Sequence, residues 1–161
     1  SVKDRILTLK EIIENQFQVS NVSTLSSVPS VSPGGQWDSN HTRPQITITS
    51  PDEVPLRGTQ TGYTGVDPTG AGPIAEKQFV ADVSVWASRR SDDIDVDPNP
   101  KKVVYEVARE LERLWMENAS GKDDLESIGY IGPTQDTSKD DRDRTVWRQF
   151  FEMRCSLTAT P

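Results

Sequence analysis

The densest set of potential metal ligands in the sequence is an acidic turn, which contains Asp92, Asp93, Asp95 and Asp97. Alternate carboxylates from position 93 to 97 resemble the start of a calcium-binding loop, in which oxygen atoms of alternate residues surround the ion. Such a loop needs glycine at its sharp turn and a bidentate glutamate at its end, but the corresponding residues here are Pro98 and Val104. The acidic turn is therefore predicted to be a solvated connection without a metal.

The sequence carries none of the common catalytic or phosphate-binding motifs. It has no GxxxxGKS/T or GxGxxG phosphate loop, no GxSxG, no HExxH and no metal-ligand spacing of cysteine and histidine. His41 is predicted to lie in a surface loop, and Cys155, which alternates with apolar residues, to be a small buried hydrophobe. We expect no catalytic residue, no metal and no cofactor. A carboxylate-dependent hydrolase that uses the turn at 92–97 is the remote alternative.

Composition and charge limit the class of protein. The chain has 161 residues, 33% of them hydrophobic, and a mean hydropathy of −0.63. These values favour one domain, 1–161, with a modest core and much solvated surface. The 25 acidic residues exceed the 18 basic ones, which disfavours general nucleic-acid binding because phosphate is repelled. No apolar run suits a membrane span or a signal peptide. The many aspartates fit solubility in high salt, so a halophilic source is a hypothesis.

A strand followed by a helix organises the chain between residues 79 and 118. Apolar residues alternate from Phe79 to Ala87, which predicts a strand. After the acidic turn the apolar spacing becomes helical, and Asp97 or Asn99 could cap the helix. The helical stripe contains Val103, Val104, Val107, Ala108, Leu111, Leu114 and Trp115.

The other segments complete an α+β fold. The spacing predicts a helix over 1–17, a strand over 45–50, a weak strand over 126–132 and a long last strand over 145–160. The apolar face of the last strand is interrupted by Gln149. Long loops are expected at 18–44 and at 51–78, where glycines disfavour regular structure, and a solvated connection at 133–144. The prediction is a small, mostly antiparallel sheet of about four strands with two helices packed on one face.

Several large or cationic side chains are candidates for an interface with another subunit or with a tube. Trp37 either caps the core or contacts another subunit. If the strands at 79–87 and 145–160 are antiparallel neighbours, four arginines could gather at one edge of the sheet. They would then pair with the adjacent aspartates or face a partner or a lumen. The candidate interface residues are Trp37, Tyr63, Arg89, Arg90, Arg142 and Arg144.

The order of these elements resembles that of the tail terminator or tail completion proteins of tailed viruses. The similarity is carried by FVADVSVWAS, KKVVYEVARELERLW, ESIGYIG and RTVWRQFFEMRCSLTAT, and it covers about residues 79–160 best. Arg144, Val146, Phe150 and Arg154 stand in the final strand where that family has an apolar–aromatic pattern. The chain departs from the family at the loop 18–44 and the Gly-rich segment 51–78.

The resemblance implies a structural virion protein. Six copies would form a ring at the head-proximal end of the tail tube, where the ring ends tube growth and joins the tail to the head–tail connector. The implied partners are the chain itself, the tail tube protein and the connector protein. DNA would pass through the lumen without specific binding, and no membrane would take part. The implied location is the tail or neck of the virion, after assembly in the host cytoplasm, and the acidic surface suits a haloarchaeal virus. Another neck, connector or tail-tube subunit is the alternative.

Overall fold

The computed structural model describes residues 5–23, 25, 27–34, 44–55, 63–66, 73–88, 99–123, 125–135, 139–141 and 144–159. Two helices and eight strands are named in chain order. They are α1 (Arg5–Gln16), β1 (Ser30–Pro33), β2 (Gln45–Pro55), β3 (Tyr63–Val66), β4 (Pro73–Ser88), α2 (Pro100–Glu117), β5 (Ser127–Tyr130), β6 (Thr134–Gln135), β7 (Lys139–Asp141) and β8 (Arg144–Ala159). A 3₁₀ turn, Val19–Asn21, follows α1. Among the described helices, none is long and apolar enough to cross a lipid bilayer.

The strands form one sheet in the order β1-β2-β4-β8-β5, with β3 paired to β4, and β6 and β7 paired to β8. All pairs are antiparallel except β1 with β2. The predicted α+β class and mostly antiparallel sheet are therefore confirmed, with five main strands rather than about four. The additional strand, β1, lies at an edge and ends at Pro33, where the missing N–H costs no ladder hydrogen bond.

The centre of the sheet is the long pairing of β4 with β8. It runs from Ala75 opposite Ala159 to Ser88 opposite Val146. Because side chains alternate between faces, one face of β4 is apolar and buried, as predicted from the sequence. The buried residues on this face are Phe79, Ala81, Val83, Val85 and Ala87. The prediction that four arginines gather at one edge of the sheet required these two strands to be antiparallel neighbours, and they are.

Helix α2 covers this apolar face. Asn99 is its N-cap, and the Asn99 side chain accepts a hydrogen bond from the backbone N–H of Lys101 at 3.2 Å. Pro100 occupies the first turn, where its missing N–H has no intrahelical role. The predicted stripe is buried from Val103 to Trp115. Burial of this stripe is the main contribution of α2 to the core, since each fully buried aliphatic side chain stabilises by about 1.5–3 kcal/mol.

Helix α1 lies beside α2 and joins the same core. Leu9, Ile12 and Ile13 are fully buried and Phe17 nearly so, and the helix itself agrees with the one predicted over 1–17. Ile46 and Ile48 of β2 lie under the two helices in the same cluster. Both helices therefore cover one face of the sheet.

Two predicted irregular segments contain strands. The prediction for 51–78 was wrong in part, because β2 continues to Pro55, β3 forms at 63–66 and β4 already begins at Pro73. A register shift between Thr49 and Asp52 accommodates Pro51, so the ladder resumes with Asp52 opposite Val80. The connection at 133–144 likewise contains β6 and β7. Backbone pairing with a long neighbouring strand does not require an apolar pattern, so the side chains gave no signal.

Candidate functional site

Most of the predicted interface residues lie outside the described part of the chain. This applies to Trp37, Arg89, Arg90 and Arg142, as well as to His41 and the acidic turn at 92–97. Tyr63 and Arg144 are placed as strand positions only, opposite Ala75 and Asp141 respectively. Because Ser88 pairs with Val146, the end of β4, which precedes Arg89, and the start of β8, at Arg144, lie at the same end of the sheet. Whether the arginine side chains gather there stays a prediction.

The described residues offer little for catalysis. Among them, no group of three or more histidine, cysteine, aspartate or glutamate residues is placed to hold a metal ion. Cys155 is fully buried as predicted, and burial raises the pKa of its thiol to about 12. At neutral pH this thiol is protonated and therefore unreactive.

A buried ion pair lies where α2 meets the end of α1. The side chain of Glu110 is only 1% exposed and accepts two hydrogen bonds from Arg113, from Nε at 2.7 Å and from Nη2 at 2.6 Å. It also accepts from the backbone N–H of Gln18 at 2.7 Å and from Nδ2 of Asn21 at 3.0 Å. Arg113 in turn donates to the carbonyl of Gln16 at 3.1 Å. We call these five residues the Glu110 network.

The network controls the charge of its members. Burial by itself would raise the pKa of Glu110, but hydrogen bonds from Arg113, Gln18 and Asn21 outweigh burial and lower it. The Glu110 hydrogen bonds in turn raise the pKa of Arg113 above its ordinary value, with Glu117 as a further partner at 2.9 Å. Both groups are therefore charged at neutral pH. Their role is to fix the segment after α1 onto α2, not to exchange protons.

A second polar contact reinforces this junction. Nδ2 of Asn118, at the C-cap of α2, donates to Oε1 of Gln16 at 2.9 Å and to the carbonyl of Leu114 at 2.8 Å. Together with the Glu110 network, this contact attaches the end of α1 and the segment after it to α2. These residues were not predicted from the sequence because the partners lie about a hundred positions apart in the chain. A usable signal was a glutamate inside the apolar stripe with an arginine three residues later.

Two pockets flank the exposed side of α2. The first has a volume of about 530 Å³ and lies beside the 3₁₀ turn, where it is lined by Ser20, Asn21, Ser23 and Glu106 among others. The second, which we call the Gln149 pocket, has a volume of about 340 Å³ and is lined by Tyr105, Ala108, Arg109, Glu112, Pro133 and Gln149.

Tyr105 and Arg109 line both pockets. The guanidinium of Arg109 lies 5.7 Å from the centre of the Tyr105 ring, and its Nη1 donates to the Tyr105 hydroxyl at 3.3 Å. Tyr105 is 51% exposed. An exposed aromatic ring that carries an arginine is typical of protein–protein interfaces, where tyrosine and arginine are enriched.

The sheet face opposite the helices carries another arginine–aromatic cluster. The guanidinium of Arg148 lies 5.0 Å from the ring centre of Trp86 and 5.1 Å from that of Phe150. Its Nε donates to Oγ of Ser84 at 3.1 Å, and Nε1 of Trp86 donates to Oγ1 of Thr47 at 2.8 Å. The sheet face opposite the helices is therefore an ordered polar and aromatic surface.

Comparison with known proteins identifies no relative: no protein-family model matches the chain, and no curated protein matches its sequence. The functional assignment therefore depends on the element order and on the geometry of α2 and the sheet.

Proposed function

We propose that this protein is a structural subunit of a virion, which forms a ring at the head-proximal end of the tail tube. There it ends tube growth and joins the tail to the head–tail connector. The observation that carries the proposal is the unit β4–α2–β5–β8, in which the two long strands are neighbours and α2 crosses over their apolar face. This is the segment on which the resemblance to tail terminator proteins rests.

The described contacts support a role in binding rather than catalysis. The carboxylate of Glu110 is buried, charged and fully engaged by Arg113 and the segment after α1. It therefore makes a fixed platform of the two helices instead of acting as an acid or base. A rigid helical layer pays less conformational entropy when it binds a neighbour, which is an advantage for a subunit that must assemble.

The proposed partners follow from this role. Copies of the chain would contact one another in a hexameric ring, and the ring would contact the tail tube protein on one side and the connector protein on the other. Residues Trp37, Tyr63, Arg89, Arg90, Arg142 and Arg144 remain our proposed contacts with other subunits or with the tube. The net charge of −7 is compatible with DNA passing through the lumen without specific binding. The proposed location is the virion neck or tail.

The direct test is electron microscopy of the purified full chain in molar salt. We expect two-dimensional class averages with six-fold symmetry, a native mass of six subunits, and caps at one end of tubes when the tail tube protein of the same virus is added. A stable monomer that neither forms rings nor caps tubes would contradict the proposal. A different closed ring that binds the connector but not the tube would favour another neck component.

The hydrolase alternative has its own test. If the acidic turn carried catalytic carboxylates, a hydrolytic activity of the wild-type chain would be lost in Asp93→Asn and Asp95→Asn. We expect no such activity to be detected in the wild-type protein, and both variants are expected to assemble like the wild type.

A further inference from the structure

The Gln149 pocket contains a buried hydrogen-bond acceptor that has no partner among the described residues. Gln149 is 9% exposed, and its Oε1 accepts no hydrogen bond from any of them. Among the described residues, the only other buried side-chain atom in this condition is Nε1 of Trp115, which is enclosed in the core. A buried polar atom without a partner destabilises a fold, so native structures rarely leave one. Gln149 differs from Trp115 because its side chain lines an open pocket. Oε1 itself has almost no accessible surface, so a donor from outside reaches it only when the amide turns toward the pocket.

The rim of the same pocket carries a cation that has no carboxylate partner. Arg109 contacts the ring and the hydroxyl of Tyr105, and no carboxylate of the described residues lies within ion-pair distance of it. Arg113, one helical turn later, pairs with both Glu110 and Glu117. The guanidinium of Arg109 therefore has N–H donors available for a carboxylate in the two-pronged geometry that arginine favours.

Two exposed apolar side chains belong to the same elements as the pocket, although neither of them lines it. Ile131, two residues before Pro133, is 50% exposed, and Met116, which follows Tyr105 and Arg109 along the same face of α2, is 63% exposed. The pocket itself combines the Tyr105 ring, the Arg109 cation, the deep acceptor of Gln149 and one carboxylate, Glu112, which accepts a hydrogen bond from the Tyr130 hydroxyl at 3.4 Å. Its exposed tyrosine and arginine are of the types enriched at protein–protein interfaces.

We propose that the Gln149 pocket is a contact between two copies of this chain. A carboxylate of the second copy pairs with Arg109, and an N–H group next to it donates to Oε1 of Gln149. A second copy is the occupant because the chain has 25 acidic against 18 basic residues, so its surface offers carboxylates in excess to an isolated cation. In the proposed contact the pocket of one copy meets an acidic surface of the other, and such contacts between unlike surfaces close into a ring when the rotation between neighbouring copies is a whole fraction of a turn. This inference rests on the proposed ring and adds one of its interfaces.

Three variants of the full chain test the contact by native mass spectrometry and sedimentation at several protein concentrations. Arg109→Glu removes the cation and should weaken association by about tenfold or more, as expected when a buried charge pair is broken. Gln149→Met replaces the amide by an apolar group of similar length and should weaken association by a few-fold. Lys122→Glu makes the same charge change in the turn after α2, outside the pocket, and should leave association unchanged.

A photo-crosslinking residue at position 105 identifies the occupant. A crosslinked product with the mass of two chains supports the contact. Crosslinking only within one chain or only to tail tube protein would overturn it, as would rings that form equally well in all three variants. In that last case the proposed function stands and this interface is wrong, whereas a wild-type chain that is monomeric in molar salt would contradict the proposed function itself. Circular dichroism confirms that each variant is folded.

Discussion

Two arginines one helical turn apart on α2 have opposite surroundings. Arg113 is held by Glu110, Glu117 and the carbonyl of Gln16, whereas Arg109 contacts the ring and the hydroxyl of Tyr105 and pairs with no carboxylate of the described residues. The same contrast separates two buried side-chain acceptors. The carboxylate of Glu110 accepts four hydrogen bonds, and Oε1 of Gln149 accepts none.

The difference between the two sites shows how one helix can serve stability and association. A buried charge stabilises a fold only when its hydrogen bonds are satisfied, which is the case on the α1 side. On the β8 side Oε1 of Gln149 accepts no hydrogen bond from the described residues and Arg109 pairs with none of their carboxylates, so these groups gain most from a partner outside the chain. The first site is predicted to respond to mutation through folding and the second through assembly.

The largest expected effect is that of Glu110→Ala. It leaves the buried end of Arg113 and the N–H of Gln18 without their acceptor, so we expect the free energy of unfolding to fall by about 3 kcal/mol. Glu117→Ala removes an exposed partner of the same arginine and should cost less than about 1 kcal/mol. Urea denaturation at constant high salt measures both. Equal losses of unfolding free energy in the two variants would mean that the buried Glu110 stabilises the fold no more than the exposed Glu117 does.

The contribution of Glu110 should also depend on pH. Its pKa in the folded protein is lowered below the ordinary value of 4.5, so the unfolded chain binds a proton more readily. The stabilisation is complete above that ordinary value and is lost as pH falls through the folded-state pKa. We expect the difference in unfolding free energy between wild type and Glu110→Gln to shrink as the solution is acidified below 4.5. A difference that stays constant over this range would contradict the charged state of Glu110.

Replacement of two equally buried amides should have opposite effects on the monomer. Gln149→Met removes the unpartnered acceptor and should raise the free energy of unfolding by about 1 kcal/mol. Asn118→Leu removes an amide that bonds Gln16 and Leu114, and should lower the free energy of unfolding by about 1–2 kcal/mol. Thermal denaturation at protein concentrations where the chain is monomeric provides the comparison. A loss of stability in both variants would mean that Gln149 has a partner in solution.

The smallest expected effect is that of Arg109→Ala on folding. Since Arg109 is exposed and its contacts within the described part of the chain are with Tyr105, the change in unfolding free energy should be below about 0.5 kcal/mol. Arg113→Ala, its matched variant one turn away, should cost several times more because it leaves Glu110 buried and unpaired. Urea denaturation of the two variants side by side measures the contrast. A large loss in Arg109→Ala would remove the distinction between the two sites.

More of the fold than of the candidate sites could be predicted from the sequence. The alternation from Phe79 to Ala87 and the helical stripe from Val103 to Trp115 correctly predicted β4 and α2, and Asn99 was one of the two expected caps. The strands β3, β6 and β7 were not predicted, since they are only two to four residues long and carry no apolar alternation. They form because the long strands β4 and β8 offer backbone partners. The interruption of the last strand by Gln149 was visible in the sequence, but its pocket was not.

The sequence by itself determined the class of fold and the two helical faces, because periodic apolar spacing is a local property that each segment carries alone. The tertiary structure decided which polar residues have partners. Glu110, which holds Arg113, also meets the N–H of Gln18, 92 positions away, whereas Arg109 meets no carboxylate of the described chain. In the sequence the two arginines look alike, because each follows a glutamate by three positions. Such contacts depend on how the helices and the sheet pack in three dimensions. Only the packing therefore distinguishes the arginine that stabilises this subunit from the one proposed to join it to the next.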